Sequence, residues 1–411
     1  MHGLAGAAGQ PAALAAALRR QGIDAKAVQI GKSKFRYDSD IYFTPGANRV
    51  ESYCDMFGEL IDRFDIFHFH ARSFLYTDPT NLAFPHLWDL AILRLAGKKI
   101  AFHFRGSEIR LHSQFRQRSP FHYVDEDPNQ LVSRFPELTM RLSRNAIRAL
   151  AHRVFVTDPE LQGYVPGSRI IPRAINLGLW RDVGSQDGDN PLVIHAPSRR
   201  IVKGTGHLLA AVSDLREEGL RFRFQLVEGL PNDQARRIYE DADIVVDQLR
   251  IGWYGVLATE SMALGKATVS YIREDLVSHL GDPLPLAVAN PATIRDVLKT
   301  LILDGSRRRR LGAFAREYCE RHHCADRIAM SLRDEYLSLD HDDPPIESEA
   351  LMDLIRHQAH SGLRHLGDAH QMPSRATSRL KRLRGSLQER GFLGTIGAAT
   401  QIARRRLFRH P

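Results

Sequence analysis

Three basic side chains and a glycine stand just past an apolar run. Arg199, Arg200, Lys203 and Gly204 follow the strand-like residues 192–196, and a helical pattern begins near Thr205. Guanidinium groups, an ammonium group and the unpaired N–H groups at a helix start, aimed at one point, supply what a diphosphate needs. The helix terminus carries partial positive charge, and Arg binds phosphate through two parallel hydrogen bonds. Further on, beyond an Ala-Asp-Ile strand at 242–246, Gly252, Trp253, Tyr254 and Gly255 lead into a second helix carrying Glu260, just before another buried strand at 267–271. Two loop-to-helix junctions on one edge of a parallel sheet can hold a nucleotide between them. A Lys-Gly pair before a helix is weak evidence by itself, and the order of all five pieces gives it weight.

The stretch 192–273 resembles the C-terminal, donor-binding domain of a retaining GT-B glycosyltransferase of the glycosyltransferase 4 (group 1) type. The resemblance implies a nucleotide-diphosphate sugar as co-substrate, no separate cofactor and no metal. It implies that Arg199 or Arg200 and Lys203 with Gly204 contact the diphosphate, Arg199 and Lys203 acting on the leaving group. It also implies that Glu260, in a helix opening with the E-x7-E pattern, binds the ribose. Gly252, Tyr254 and Gly255 complete the donor-binding set. The chain departs from the pattern at one place: the first Glu, eight positions before Glu260, is Gly252, which leaves the donor sugar and catalysis itself open. Asp247, at the end of the neighbouring strand, is not an equivalent on sequence grounds. Two alternatives stand beside transfer: a catalytically degenerate binding or scaffold subunit, and a nucleotide-sugar epimerase.

The elements that would complete such a machine lie upstream. Residues 1–172 alternate helical patterns and apolar runs, as a doubly wound α/β domain does. Helices are expected at 11–21, 53–64, 88–95 and 135–150, and strands at 25–30, 66–70, 99–104 and 153–157. Gly3, Gly6 and Gly9 precede the first helix like the glycine loop that follows a first strand, so that strand reads as missing and a start codon upstream is one explanation. Strand ends in such sheets point into the crevice. His68 and His70 share one face of their strand. The next strand ends in Phe102-His-Phe-Arg-Gly-Ser-Glu, which resembles the family's His-Gly-x-Asp stretch with Arg105 at the His position, His103 two residues earlier and Glu108 for Asp. His103 and Arg105 are therefore catalytic candidates, and Gly6, Gly9, His70 and Glu108 are acceptor-side candidates. The polar segment 110–130 reads as an acceptor-side loop.

Residues 173–190 form the expected linker, 191–338 the nucleotide-sugar domain, and 339–411 a polar linker with a basic tail. One last helix is expected at 306–337, packing back across the N-terminal domain. The fold class is thus α/β, GT-B: two Rossmann-like doubly wound domains facing a cleft, plus a basic helical C-terminal tail. Length and a 43% hydrophobic content suit two soluble domains. Three cysteines cannot build a disulfide framework, and Cys319 to Cys324 match no usual zinc spacing. From Pro373 onward ten Lys or Arg face one acid, Glu389, so the tail alone carries the chain's +9. Leu380, Leu383, Leu387 and Phe392 recur among those charges near helical spacing, which suits an anionic membrane surface as well as a solvated tail. Cytoplasmic placement at the inner membrane face and a saccharide or lipid-linked acceptor in surface polysaccharide or glycolipid synthesis follow as expectations. Nucleic acid does not, for want of interleaved aromatics.

Overall fold

Two parallel sheets organise the chain. The computed structural model describes residues 1–31, 35–44, 49–74, 87–126, 136–185, 188–281 and 283–339, with Glu349 and Asp353 beyond them. The seven-stranded sheet contains β1 (His2–Leu4), β2 (Ala27–Ile30), β3 (Ile41–Phe43), β4 (Ile66–His70), β5 (Lys99–Phe104), β6 (Arg153–Val156) and β7 (Arg169–Ile170), in the order β3-β2-β1-β4-β5-β6-β7. The five-stranded sheet contains β8 (Leu192–His195), β9 (Arg223–Leu226), β10 (Ile244–Val246), β11 (Ala267–Ser270) and β12 (Ala287–Val288), in the order β12-β11-β10-β8-β9. All named pairs are parallel, so helices must cover both faces and the central strands are buried. Both sheets belong to one compact unit, Met1–Gln358; the rest, Ala359–Pro411, lies outside the described residues, and with it the basic tail.

The N-terminal sheet corrects one expectation. The first strand is present: His2–Leu4 lies at the centre, pairing Gly3 with Val28 on one side and Phe69 on the other. Three residues suffice because the neighbours on both sides supply the hydrogen bonds. The glycine loop then leads into α1 (Gln10–Arg20), and α2 (Arg49–Arg63), α3 (Trp88–Leu95), α4 (His112–Arg118), α5 (Glu137–Leu150) and α6 (Pro159–Gln162) follow in this half. Helix α5 presents Met140, Ala146, Ile147 and Leu150 to the core at helical spacing.

In the second half α7 (Arg200–Lys203) and α8 (Thr205–Glu217) follow β8, α9 (Asn232–Asp241) follows β9, and α10 (Val256–Ala263) precedes β11. The final helical stretch is broken: α11 (Ile294–Leu303) and α12 (Gly305–His322) stay with the C-terminal sheet, and α13 (Ala325–Ser338) starts afresh. The break at His323 and Cys324 has a cause. Ile175, on the segment that crosses between the halves, donates to the His323 carbonyl at 2.7 Å and accepts from the Ala325 N–H at 2.9 Å, which takes those groups out of the helical ladder. Helix α13 then packs on α1, with Ile328, Ala329 and Leu332 among Leu14, Ala15 and Leu18. Among the described residues no helix is long and apolar enough to cross a membrane.

Candidate functional site

The head of α10 is an anion seat, and a carboxylate of the chain sits in it. Asp247 follows β10 and is completely buried. Its Oδ2 accepts the N–H of Gly255, the residue that caps α10, and its Oδ1 accepts from Lys203 Nζ at 2.6 Å. Lys203 donates also to Gln248 Oε1 at 2.8 Å, and Gln248 donates in turn to the Trp253 carbonyl. Glycine suits 255 because a Cβ there would lie 2.9 Å from Asp247 Oδ2 and 3.0 Å from Lys203 Nζ and would push on that pair. At 252 it is required for conformation. With φ at +86° a glutamate would be strained and its Cβ would press on Arg273 Cβ at 3.1 Å, which explains why the pattern's first acid is absent there.

Glu260 lies on α10, 5% exposed, with Oε1 3.5 Å from Asn232 Nδ2. Burial, the Asn232 contact and the nearby Asp247 charge set its proton affinity, burial dominating, and the carboxyl is pushed up to about 8. Asn232 also reaches Tyr37 Oη at 3.4 Å and donates its backbone N–H to the Phe35 carbonyl at 2.9 Å. Tyr37 lies over Gly9, so the N-terminal glycine loop and the C-terminal Glu260 share one intermediary. A second tie joins the halves: Arg250 pairs with Glu126 at 2.6 Å and donates to the Phe121 and His122 carbonyls.

The remaining donor candidates are dispersed. Arg199 is exposed at the start of α7, and Arg200 is exposed and paired in two-pronged fashion with Glu228. Gly204, in the left-handed conformation, joins α7 to α8. Tyr254 points away from the seat: it is buried, stacks on Trp253 and shares a 2.8 Å hydrogen bond with His323 Nε2. Cys319 and His322 are parts of α12, whereas His323 is a structural link: its Nδ1–H donates to the Arg173 carbonyl and its Nε2 accepts from the Tyr254 hydroxyl.

The acceptor-side candidates meet at the ends of β1, β4 and β5. His2, His68, His70 and His103 are all buried, with ring centroids of His68 and His70 4.4 Å apart. Their hydrogen-bond direction is fixed by Arg105, which can only donate. Arg105 Nη2 donates to His70 Nδ1, so His70 Nε2–H donates to His2 Nδ1 at 3.2 Å. His2 Nε2–H then donates to Tyr336 Oη at 3.0 Å, and Tyr336 donates to His68 Nδ1 at 2.5 Å. Burial, first, and the Arg105 charge hold all four imidazoles well below the usual histidine range, hence neutral. His103 is enclosed beside Phe155 and His68. Glu108 turns back to accept the N–H groups of Arg105 and Gly106, and burial raises its carboxyl. Gly6 lies against Gln29, and its carbonyl accepts from Gly9. Asp247, Tyr37, Asn232, His2, Arg173 and Tyr336 are the members that the sequence reading did not assign. An open groove of about 700 Å³ lined by Arg118, Arg273, Glu274 and Asp275 holds none of the motif residues.

No protein-family model and no curated protein matches the sequence. Solved structures do. Sucrose-phosphate synthase from Thermosynechococcus elongatus is similar over 79% of this chain and 91% of its own, at 16% identity and a TM-score of 0.57. Anabaena HepE in complex with UDP and glucose covers 82% of this chain and 98% of its own, at 13% identity and a TM-score of 0.55. A glycosyltransferase from Rickettsia africae covers 83% and 98%, at 11% and 0.54. The chain has the GT-B glycosyltransferase fold.

Proposed function

We propose that this GT-B chain transfers a sugar from a nucleotide-diphosphate sugar to an acceptor hydroxyl, with retention and without a metal, in saccharide or glycolipid synthesis. The observation that carries the reading is the convergence of Lys203, the Gly255 N–H and Glu260 on one edge of the C-terminal sheet. A departing diphosphate gains charge as the anomeric bond breaks, so a lysine and a helix-start N–H stabilise the transition state more than the ground state. Donor phosphate would share or take over these donors from Asp247. Glu260, once ionised, accepts ribose hydroxyls. Asp247 is held by Lys203 and the Gly255 N–H and Glu260 is assigned to ribose, which leaves the departing diphosphate itself to take the acceptor's proton. HepE is described with UDP and glucose, which makes uridine the first base to try.

A second reading has one observation behind it. Lys203 and Arg200 are both paired with carboxylates, Asp247 and Glu228, as in a donor site that has become a binding or scaffold surface. A thermal-shift panel of UDP, GDP, ADP and CDP on the wild type, Lys203→Gln and Glu260→Gln separates the two. A shift with one nucleotide that both variants lose supports transfer. No shift with any nucleotide, in folded protein, supports the second reading.

A further inference from the structure

Beside the neutral histidines stands a guanidinium, Arg105, that Glu108 offsets from nearby without forming an ion pair with it. Arg105 is partly exposed, yet its Nε and Nη1 atoms are shut from solvent and have no hydrogen-bond partner. No carboxylate forms an ion pair with it among the described residues. Glu108, the nearest acid in sequence, spends Oε1 on the backbone N–H groups of Arg105 and Gly106. Arg173, on the segment crossing between the sheets, is 8% exposed. It gives Nη2 to Asp158 Oδ2 at 2.9 Å and leaves Nη1 buried without a partner. Burial, first, and the Arg173 charge draw Arg105 down to about 9 against the opposing pull of Glu108, so the two guanidinium groups feel each other and Arg105 stays protonated at neutral pH.

Two ligands of opposite charge compete to explain the cluster. His2, His68 and His70 could bring ligand atoms within 4.8 Å of one another around a metal ion. The chain of hydrogen bonds argues against it: Arg105 occupies the His70 Nδ1 lone pair, His70 that of His2, and Tyr336 that of His68. A metal would also bring further positive charge beside Arg105. An oxyanion does the reverse: it would offer acceptors to the unpartnered Nε and Nη1 of Arg105 and Nη1 of Arg173 and add counter-charge beside them.

We propose that Arg105 and Arg173 form a seat for an oxyanion, phosphate or carboxylate, borne by the acceptor. This rests on the glycosyl-transfer reading, and it names the acceptor class. The seat is at the strand ends of the N-terminal sheet, whereas the donor groups Lys203, Gly255 and Glu260 are at those of the C-terminal sheet. A neutral sugar would leave Arg105 without a paired counter-charge.

The test is a thermal-shift and calorimetric titration of the full chain at constant ionic strength. Inorganic phosphate and glucuronate are the probes, glucose the uncharged control and UDP a separate arm. Phosphate or glucuronate stabilises the wild type and glucose does not. Arg105→Gln weakens that response about tenfold or more, as loss of a charged donor pair does. Arg105→Lys, which keeps the charge and guards against a folding defect, weakens it less, and Lys203→Gln leaves it intact. A response that survives Arg105→Gln, or that Lys203→Gln removes instead, overturns the proposal, as does no response to either anion. UDP should behave oppositely, losing its effect with Lys203→Gln and keeping it with Arg105→Gln. An anion response that depends on Arg105 with no UDP response at all would refute the transferase reading, and the acceptor role with it.

Discussion

The two sheets present strand ends of opposite electrostatic character. On the C-terminal side the buried cation carries its own anion: Lys203 is 2.6 Å from Asp247, and Asp247 also satisfies the N–H of Gly255, which caps α10. On the N-terminal side neutral imidazoles surround Arg105, and Nε and Nη1 of that guanidinium, like Nη1 of Arg173, have no acceptor. A compensated seat is stable while empty, and a ligand must exchange with the internal carboxylate before it gains anything. An uncompensated seat destabilises the empty fold, so a ligand that fills it returns that energy as stabilisation on binding. The difference predicts that an anion raises the melting temperature more through Arg105 than a nucleotide does through Lys203.

The largest effect tests the compensated side. Lys203→Ala leaves Asp247 fully buried with the Gly255 N–H in place of its cation, which should cost about 3 to 5 kcal/mol in urea unfolding. Replacing both partners, as Lys203→Met with Asp247→Leu, should recover most of it, because the charge and its counter-charge leave together. If the single and double variants unfold alike, the pair is not a unit and the contrast between the sheets fails.

Glu260 comes next, and its sign is definite. The folded carboxyl holds its proton to about pH 8, well above the ordinary 4.5. The folded state therefore binds more protons between those values, and stability falls as pH rises from 4.5 to 8. Glu260→Gln removes that slope. Its melting temperature should match wild type near pH 4.5 and exceed it at pH 9, the gap growing by about 1.4 kcal/mol per unit of pH at most. On the proposed donor reading, nucleotide affinity in the wild type should rise over the same interval, since an ionised carboxylate accepts hydroxyl hydrogen bonds more strongly than a protonated one. A gap that is constant with pH would show that Glu260 is ionised throughout.

On the N-terminal side Tyr336→Phe removes the hydroxyl that joins His2 to His68. Two buried imidazole nitrogens lose their partner, for about 1 to 3 kcal/mol. The loss should be the same at pH 6 and pH 9, because all the histidines are already neutral. A loss that vanishes at low pH would mean that the cluster takes up a proton, and so is not held positive by Arg105 alone.

How much of this was written in the sequence depends on the range of the interaction. Strand 66–70, helix 88–95 and strand 99–104 have the boundaries that local pattern gives, since each is a dense apolar run between polar breaks. The strand His2–Leu4 was invisible because a tripeptide containing His and Gly carries no periodicity, and its neighbours at Val28 and Phe69 hold it in place. The break before Cys324 was missed for a similar reason, as it answers Ile175, far away in the chain. Of the proposed donor seat, Lys203, Gly255 and Glu260 could be named from spacing and resemblance. The pairing with Asp247 could not, because a residue that ends a strand can face either way. Arg173 and Tyr336 reach the N-terminal cluster from the crossing segment and from α13, and no spacing rule links them to His70.

Arg200 gives the smallest stability effect and the sharpest test of where the diphosphate goes. Its guanidinium is exposed and pairs with an exposed carboxylate, Glu228, so Arg200→Ala should leave the melting temperature of the empty protein unchanged within error. Exposure makes the same group inexpensive to redirect: a solvated Arg can leave Glu228 for a phosphate oxygen with little desolvation. Nucleotide affinity should then fall a few-fold in Arg200→Ala, about the worth of one solvated ion pair, against a much larger loss in Lys203→Gln. Equal losses would place the diphosphate out by α7 and away from the buried seat. Asp247 would then be a permanent structural partner of Lys203, with no exchange on binding, and the two sheets would differ in ligand access more than in charge.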